Sequence, residues 1–228
     1  ILEFLQLHHE KHGAPIASWC ANEKTAYEAA LGTCFAGRRA LVAMKHVGLN
    51  VAADAFINSA LVETHGGLVL AVADDPGMHS SQNEQDSRWY ADFARVPCLE
   101  PSTQQEAYEM TREAFEISER FGVPVVVRLV TRLSHSRTTV EVREARAQNP
   151  IARAKKKHSW ILLPANARVQ YRGLLARQKD IAAWSDESPW NTLQLNPHRT
   201  DLGIITTGIA RNYLRENLDD LGWAPSHL

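Results

Sequence analysis

The apolar run Gly67-Leu68-Val69-Leu70-Ala71-Val72-Ala73 gives way at Asp74 to Asp74-Asp75-Pro76-Gly77-Met78-His79-Ser80-Ser81-Gln82-Asn83-Glu84-Gln85-Asp86, the most polar stretch of the chain. An unbroken run of aliphatic and β-branched residues reads as a buried strand, and Pro76-Gly77 reads as a turn. In open α/β sheets ligands sit outside the carboxyl ends of the strands, so this loop stands where a site belongs.

The same rhythm recurs from Pro15 to about Val140. Strands are predicted at Ile16 to Trp19, Leu41 to Met44, Leu68 to Ala73 and Val123 to Val130, with a short one at Val96 to Leu99. Val125-Val126-Val127 is β-branched throughout and is entered through Gly122 and Pro124, which marks the last of these most sharply. Helices are predicted between them at Glu23 to Ala36, Ala52 to Val62, Glu84 to Ala94 and Thr103 to Phe121, the last opened by a capping box of Ser102 or Thr103 with Glu106. Alternating strands and helices argue for an α/β fold in three layers, a parallel sheet with helices on both faces.

Beyond this unit, residues 141–200 are basic and irregular, with Lys155-Lys156-Lys157 and one amphipathic helix at Ala165 to Trp184; they read as an interdomain linker. Leu202-Gly203-Ile204-Ile205-Thr206-Thr207-Gly208 then reads as a strand and turn leading into a helix at Ile209 to Leu218. The expected organisation is an α/β domain over 1–140, a linker over 141–200 and the start of a second α/β domain over 201–228. Ile1 to Leu7 already reads as the middle of an amphipathic helix, so the fold is expected to be truncated at both ends.

With 228 residues and 44% hydrophobic composition the chain can bury one full core and part of another. A net charge of -1 gives no general attraction to nucleic acid or anionic lipid, so the lysine run is expected to be a solvated face. No apolar run has the length of a membrane span, and no signal-peptide pattern is present, which makes a cytoplasmic protein the expectation. Cys20, Cys34 and Cys98 are odd in number and widely spaced, supporting neither a disulfide framework nor a Cys-x-x-Cys metal site; they read as small buried hydrophobes.

Four predicted strands end in polar residues: Asn22 and Glu23, Lys45 and His46, the Asp74 to Asp86 loop, and Arg132, Ser134, His135 and Ser136. In a parallel sheet these share one edge. Each has a structural explanation alone, such as Glu23 in the first turn of a helix or Asp75 before a turn proline, but their coincidence points to a site. The helix after Glu23 also carries small residues, Ala26, Ala29, Ala30, Thr33, Cys34 and Gly37, at helical spacing, which fits either a close helix contact between subunits or packing on the sheet.

Three long segments, Trp19-Cys20-Ala21-Asn22-Glu23-Lys24, Met44-Lys45-His46-Val47-Gly48-Leu49-Asn50-Val51-Ala52-Ala53-Asp54 and Val72 to Asp86, resemble the alpha subunits of indolepyruvate:ferredoxin oxidoreductases. The resemblance is strong from Pro15 to about Val140, weak through the linker, and resumes at Leu202. It implies the pyrimidine-binding domain of a thiamine-diphosphate-dependent 2-oxoacid oxidoreductase, with a thiamine-diphosphate-binding fold. In such enzymes a carboxylate hydrogen-bonds a ring nitrogen of the cofactor's aminopyrimidine and favours the imino tautomer, which removes the thiazolium proton; the resemblance gives this role to Glu23. It further implies His46 and Asn50 on the cofactor side and His46, Asp75, His79, Arg132 and His135 around the substrate, with Arg132 or another cation facing the substrate carboxylate.

The implied cofactor is thiamine diphosphate with Mg2+, shared with a diphosphate-binding domain or subunit, and iron-sulfur clusters lie elsewhere in the parent enzyme. A second oxidoreductase subunit, ferredoxin and an oligomeric assembly are the implied partners. The upstream glycine-containing turn of the family, its Gly-Asp-Gly diphosphate motif and its cysteine clusters do not occur in this sequence, so the chain alone is not expected to hold the whole cofactor or transfer electrons. Two other readings compete: a non-catalytic scaffold that keeps the fold and interface, and a hydrolase using Asp74, Asp75, His79 and Glu84 as metal ligands.

Overall fold

A computed structural model describes residues 2–152, 158–195 and 203–222. Helix α1 (Leu2–His12) precedes α2 (Glu23–Phe35), β1 (Ala40–Lys45), α3 (His46–Ser59), β2 (Leu68–Asp74), α4 (Ser87–Ala94), β3 (Cys98–Leu99), α5 (Gln104–Phe121) and β4 (Val125–Val130). The strands form one parallel sheet in the order β1-β2-β4-β3. Leu68 to Leu70 in β2 and Val125 to Val127 in β4 are each fully buried. Consecutive strand residues point to opposite faces, so both faces of the central strands are covered, as the α/β reading requires. Tyr27, Cys34, Leu49, Phe56, Ala114 and Ile117 supply the helical side of the core.

Local signals set the helix ends. The Asn22 side chain accepts the Thr25 N–H at 2.9 Å and starts α2. Thr103 accepts the Glu106 N–H at 3.1 Å, while the Glu106 carboxylate accepts the Ser102 N–H at 2.7 Å and its hydroxyl at 2.6 Å. Gly122, with φ 63°, closes α5 in the left-handed region that glycine tolerates.

Three expectations about secondary structure fail. Ile16 to Trp19 is not a strand; Ile16 is 87% and Trp19 70% exposed, so the apolar run has no core to enter. Four residues are too few for periodicity to separate a strand from an exposed extended segment. The helix expected to start at Ala52 starts at His46, because its N-cap is Lys45, which makes no side-chain capping bond and leaves no mark in the sequence. Gly203 to Thr207 forms no strand and pairs with none; Leu202 lies outside the described residues, as do Lys155 to Lys157.

After β4 come α6 (Thr131–Ser134), α7 (Pro164–Glu187) and α8 (Ala210–Asp220). Helix α7, read as part of a connection, places Leu174 in the core at 2% exposure and packs Ile181 and Trp184 against it. On α2, Ala30 and Cys34 of the small-residue set are buried whereas Ala29 and Thr33 are exposed, so only part of that face packs within the chain. Of the cysteines, Cys20 is exposed rather than buried, on the extended segment that fails to become a strand. Burial pushes the thiols of Cys34 and Cys98 up to about 12, which keeps both protonated and unreactive.

Candidate functional site

The strand register levels the carboxyl edge of the sheet. Lys45 pairs with Ala73 and Asp74 with Val130, so His46, Asp75 and Thr131 each follow a strand end along one side of the molecule.

Most of the polar side chains here hold one another. Asp75 is 3% exposed and accepts three bonds: Oδ1 from the Thr131 hydroxyl at 2.7 Å, Oδ2 from the Ser80 N–H and the Ser81 hydroxyl at 2.8 Å each. The Thr131 bond first, then those from Ser80 and Ser81, hold its carboxyl well below the usual carboxylate range. Lys45 Nζ donates to the Ser80 carbonyl at 2.9 Å, and Glu84 accepts the Gly77 N–H at 2.9 Å. Asp86 caps α4 by accepting the Arg88 N–H at 3.1 Å. The loop is thereby tied to β1, β2 and α6 at once.

Beneath it lies a buried charge network that sequence reasoning missed. Arg128 of β4, with a side chain only 10% exposed, donates at 2.6 Å to Asp74 Oδ2 and at 2.6 Å to Glu100 Oε1. Burial works against its charge, but the hydrogen bonds and charges of Asp74 and Glu100 outweigh burial and raise the guanidinium above its ordinary value. Its signal was a lone arginine inside the apolar run Val125–Val130, where a charge persists only if paired.

His46 is fully buried, and its Nε2 lies 3.0 Å from the Asn83 carbonyl oxygen. A carbonyl only accepts, so Nε2 carries the hydrogen; Nδ1 is buried and has no hydrogen-bond partner among the described residues. Asn50, exposed, stands one turn further along α3.

Glu23, the first residue of α2, is half-buried with its side chain across the first turn of α3: a Cβ on Gly48 would lie 2.6 Å from Glu23 Cγ and 2.9 Å from its Oε1. Among the described residues no hydrogen bond or ion pair engages its carboxylate.

The remaining candidates are exposed. His79 sits on the loop, and His135 closes α6 by donating its backbone N–H to the Thr131 carbonyl at 3.0 Å. The Arg132 guanidinium lies 4.8 Å from the ring centroid of Tyr213 in α8. Asp74, Asp75 and Glu84 are committed to the bonds above, and among the described residues no group of three or more His, Cys, Asp or Glu is arranged to hold a metal ion. Among the described residues no helix is long and apolar enough to cross a membrane.

A both-faces-covered parallel sheet, with polar groups gathered beyond its carboxyl ends, is the architecture of α/β cofactor-binding domains. The family model for the thiamine-diphosphate-binding domain of pyruvate flavodoxin/ferredoxin oxidoreductases matches residues 6–183, and the chain belongs to that family. It is 42% identical over 206 residues to the indolepyruvate oxidoreductase subunit IorA of Archaeoglobus fulgidus, covering 89% of this chain and 33% of that protein. To IorA of Methanothermobacter marburgensis it is 44% identical over 203 residues, covering 88% and 33%. The chain thus spans about a third of the length of these relatives. A solved 2-oxoglutarate:ferredoxin oxidoreductase from Magnetococcus marinus, with 2-oxoglutarate, coenzyme A and succinyl-CoA bound, shares the fold at TM-score 0.63 and 13% identity, over 97% of this chain and 46% of that one.

Proposed function

We propose that this chain contributes the aminopyrimidine side of a thiamine diphosphate site in an enzyme that oxidatively decarboxylates aryl 2-oxoacids of the indolepyruvate kind to acyl-CoA, with ferredoxin as electron acceptor. Family membership and the names of the relatives support the class of reaction. The observation that carries the assignment of residues is Glu23, a half-buried carboxylate at the sheet's carboxyl edge with neither cation nor donor engaged among the described residues.

The side chains present fit an aminopyrimidine. Such a ring offers a nitrogen that shares a proton with a carboxylate, and Glu23 matches it; His46 is fully buried behind the same edge, where it holds the Asn83 carbonyl of the loop. When bound, thiamine diphosphate supplies the nucleophilic carbon and accepts the electron pair released with carbon dioxide. Glu23 binds the ring nitrogen and exchanges a proton there. The loop from Asp75 through His79 to Asp86 forms the pocket wall, and Asn50 extends the cofactor-facing side of α3. The Arg132 guanidinium lies 4.8 Å from the ring centroid of Tyr213, whose hydroxyl also engages it and raises it above its ordinary value; it is the cation assigned here to the substrate carboxylate, with His135 three residues further along the chain. By this reading residues 1–140 form the pyrimidine-side domain and 141–200 connect it to a second domain beginning at 201–228, with α7 of the connection packed onto the first domain through Leu174. In this reading Mg2+ with the diphosphate, and the iron-sulfur clusters, are held by a diphosphate-binding domain and a second subunit of an oligomeric cytoplasmic assembly.

Replacing Glu23 by Gln in the assembled protein tests the assignment. Loss of general acid–base function costs about 10²- to 10⁴-fold in rate, so 2-oxoacid-dependent reduction of a low-potential acceptor should collapse while the melting temperature stays unchanged. Turnover near that of the unaltered protein would overturn it.

A further inference from the structure

Gly48 is the third residue of α3 and is buried. Glycine within a helix is disfavoured relative to alanine, and Gly48 is not among the residues with positive φ, so its backbone does not demand glycine. The space around it does. A Cβ built there would lie 2.6 Å from Cγ, 2.9 Å from Oε1 and 3.0 Å from Cδ of Glu23, and these are its three nearest neighbours. Backbone would not be struck first, in contrast to Gly66, where the Arg38 carbonyl oxygen would lie at 2.0 Å. The nearest group at Gly48 is therefore a side chain, that of Glu23.

We propose that Gly48 is a positioning residue for Glu23: its missing side chain lets the carboxylate lie across the first turn of α3 without being captured there. This rests on the reading of Glu23 given above. Helix α3 has no side-chain cap on its first turn, which is a place where a carboxylate would ordinarily settle as a hydrogen-bond acceptor. Glu23 comes within contact of that turn and still accepts no bond among the described residues, so its oxygens stay available to an incoming group. A methyl group at position 48 would push against the middle of the Glu23 side chain. Because that side chain is flexible, it would swing away at little cost to folding, and the carboxylate would leave its position. Gly48 is thus expected to matter for proton exchange at the cofactor far more than for stability.

The experiment compares Gly48→Ala with Glu23→Gln in the assembled, thiamine-diphosphate-loaded protein, reading hydrogen–deuterium exchange at the thiazolium C2 of the bound cofactor by NMR together with the melting temperature. Displacement of a reacting group by about an ångström costs on the order of 10²-fold, so Gly48→Ala is expected to slow exchange by that order with its melting temperature unchanged or raised. If Glu23→Gln abolishes exchange and Gly48→Ala leaves it as in the unaltered protein, the role of Gly48 is overturned and that of Glu23 stands. If Glu23→Gln leaves exchange intact, the reading of Glu23 fails and the role of Gly48 goes with it. Should Gly48→Ala prove less stable, the same substitution is made in a Glu23→Ala background. A stability loss confined to the chain that keeps Glu23 supports the contact, and an equal loss in both backgrounds overturns it.

Discussion

The loop from Asp75 to Asp86 and the corner between α2 and α3 lie on the same edge of the sheet but are built on opposite terms. In the loop, the charged side chains are spoken for: Asp75 accepts three bonds, Lys45 and Glu84 hold the backbone at Ser80 and Gly77, and Asp74 below is locked to Arg128 through Oδ2, while its Oδ1 and the Oε1 of Gln85 are buried without a partner among the described residues. Even Met78, a non-glycine residue at φ 55°, is held in the left-handed region there. At the corner, Glu23 has room and no partner. Saturated polar groups specify shape, while a carboxylate that is both accessible and unsatisfied is free to act on something that arrives. Polarity along the sequence therefore points to the wall of a site more readily than to its reacting group.

That contrast breaks first at Glu23 and Arg128. Glu23→Gln should cost about 10²- to 10⁴-fold in turnover and almost nothing in stability, since no bond within the described chain is lost. Arg128→Ala should do the reverse. Removing one partner of a buried ion pair costs about 3–5 kcal/mol, a large part of a typical total of about 5–15 kcal/mol. It leaves the Asp74 side chain, 1% exposed, with the Ser87 N–H at 3.0 Å and that of Glu100, 15% exposed, with only the more distant Arg88 at 3.8 Å among the described residues. Chemical denaturation of both variants checks this. A stable Arg128→Ala, or a Glu23→Gln that unfolds early, would erase the distinction between scaffold and reacting group.

How far the sequence exposed this arrangement depends on how each feature is encoded. The strands β2 and β4 were legible almost to the residue, because burial on both faces writes itself as a continuous apolar run. The sheet edge that gathers His46, Asp75 and Arg132 followed from parallel pairing, whereas Glu23 reaches it across α3 at Gly48, with no strand of its own before it. Ile16 to Trp19 misled, since four apolar residues on the surface look like four in a sheet. The start of α3 at His46 was hidden because Lys45 does not cap it. The partnership of Arg128 with Asp74 and Glu100 joins residues far apart in the chain, and no local pattern encodes it. The contact of Gly48 with Glu23 is hidden for the same reason, since a glycine within a helix shows only that something is missing.

A smaller effect is expected at Asp75, where acid should loosen the wall selectively. Its folded carboxyl titrates below the ordinary value, so the stability it contributes is present above about pH 4 and is lost as the pH falls through the lower folded value. Asp75→Asn should abolish this acid dependence and reduce hydrogen-exchange protection of the amides from Gly77 to Gln85 by roughly tenfold, the scale of one lost bond to a charged group. Unchanged protection in that variant would mean that Lys45 and Glu84 alone hold the loop.

The smallest effect belongs to Lys24, the sequence neighbour of Glu23. Its ammonium lies 3.4 Å from Asp54 and 3.9 Å from Glu28, with side chains 43% exposed for Lys24, 54% for Glu28 and 73% for Asp54. Exposed pairs of this kind contribute about 0–1 kcal/mol and are screened by salt. Lys24→Ala should therefore shift the melting temperature by at most a degree or two and leave both turnover and its salt dependence as they are. The substitution asks how sharply chemistry is confined at the corner. If turnover of Lys24→Ala falls as it does in Glu23→Gln, the charge beside α3 reaches the carboxylate through solvent, and the lack of a partner at Glu23 no longer marks it out as the reacting group.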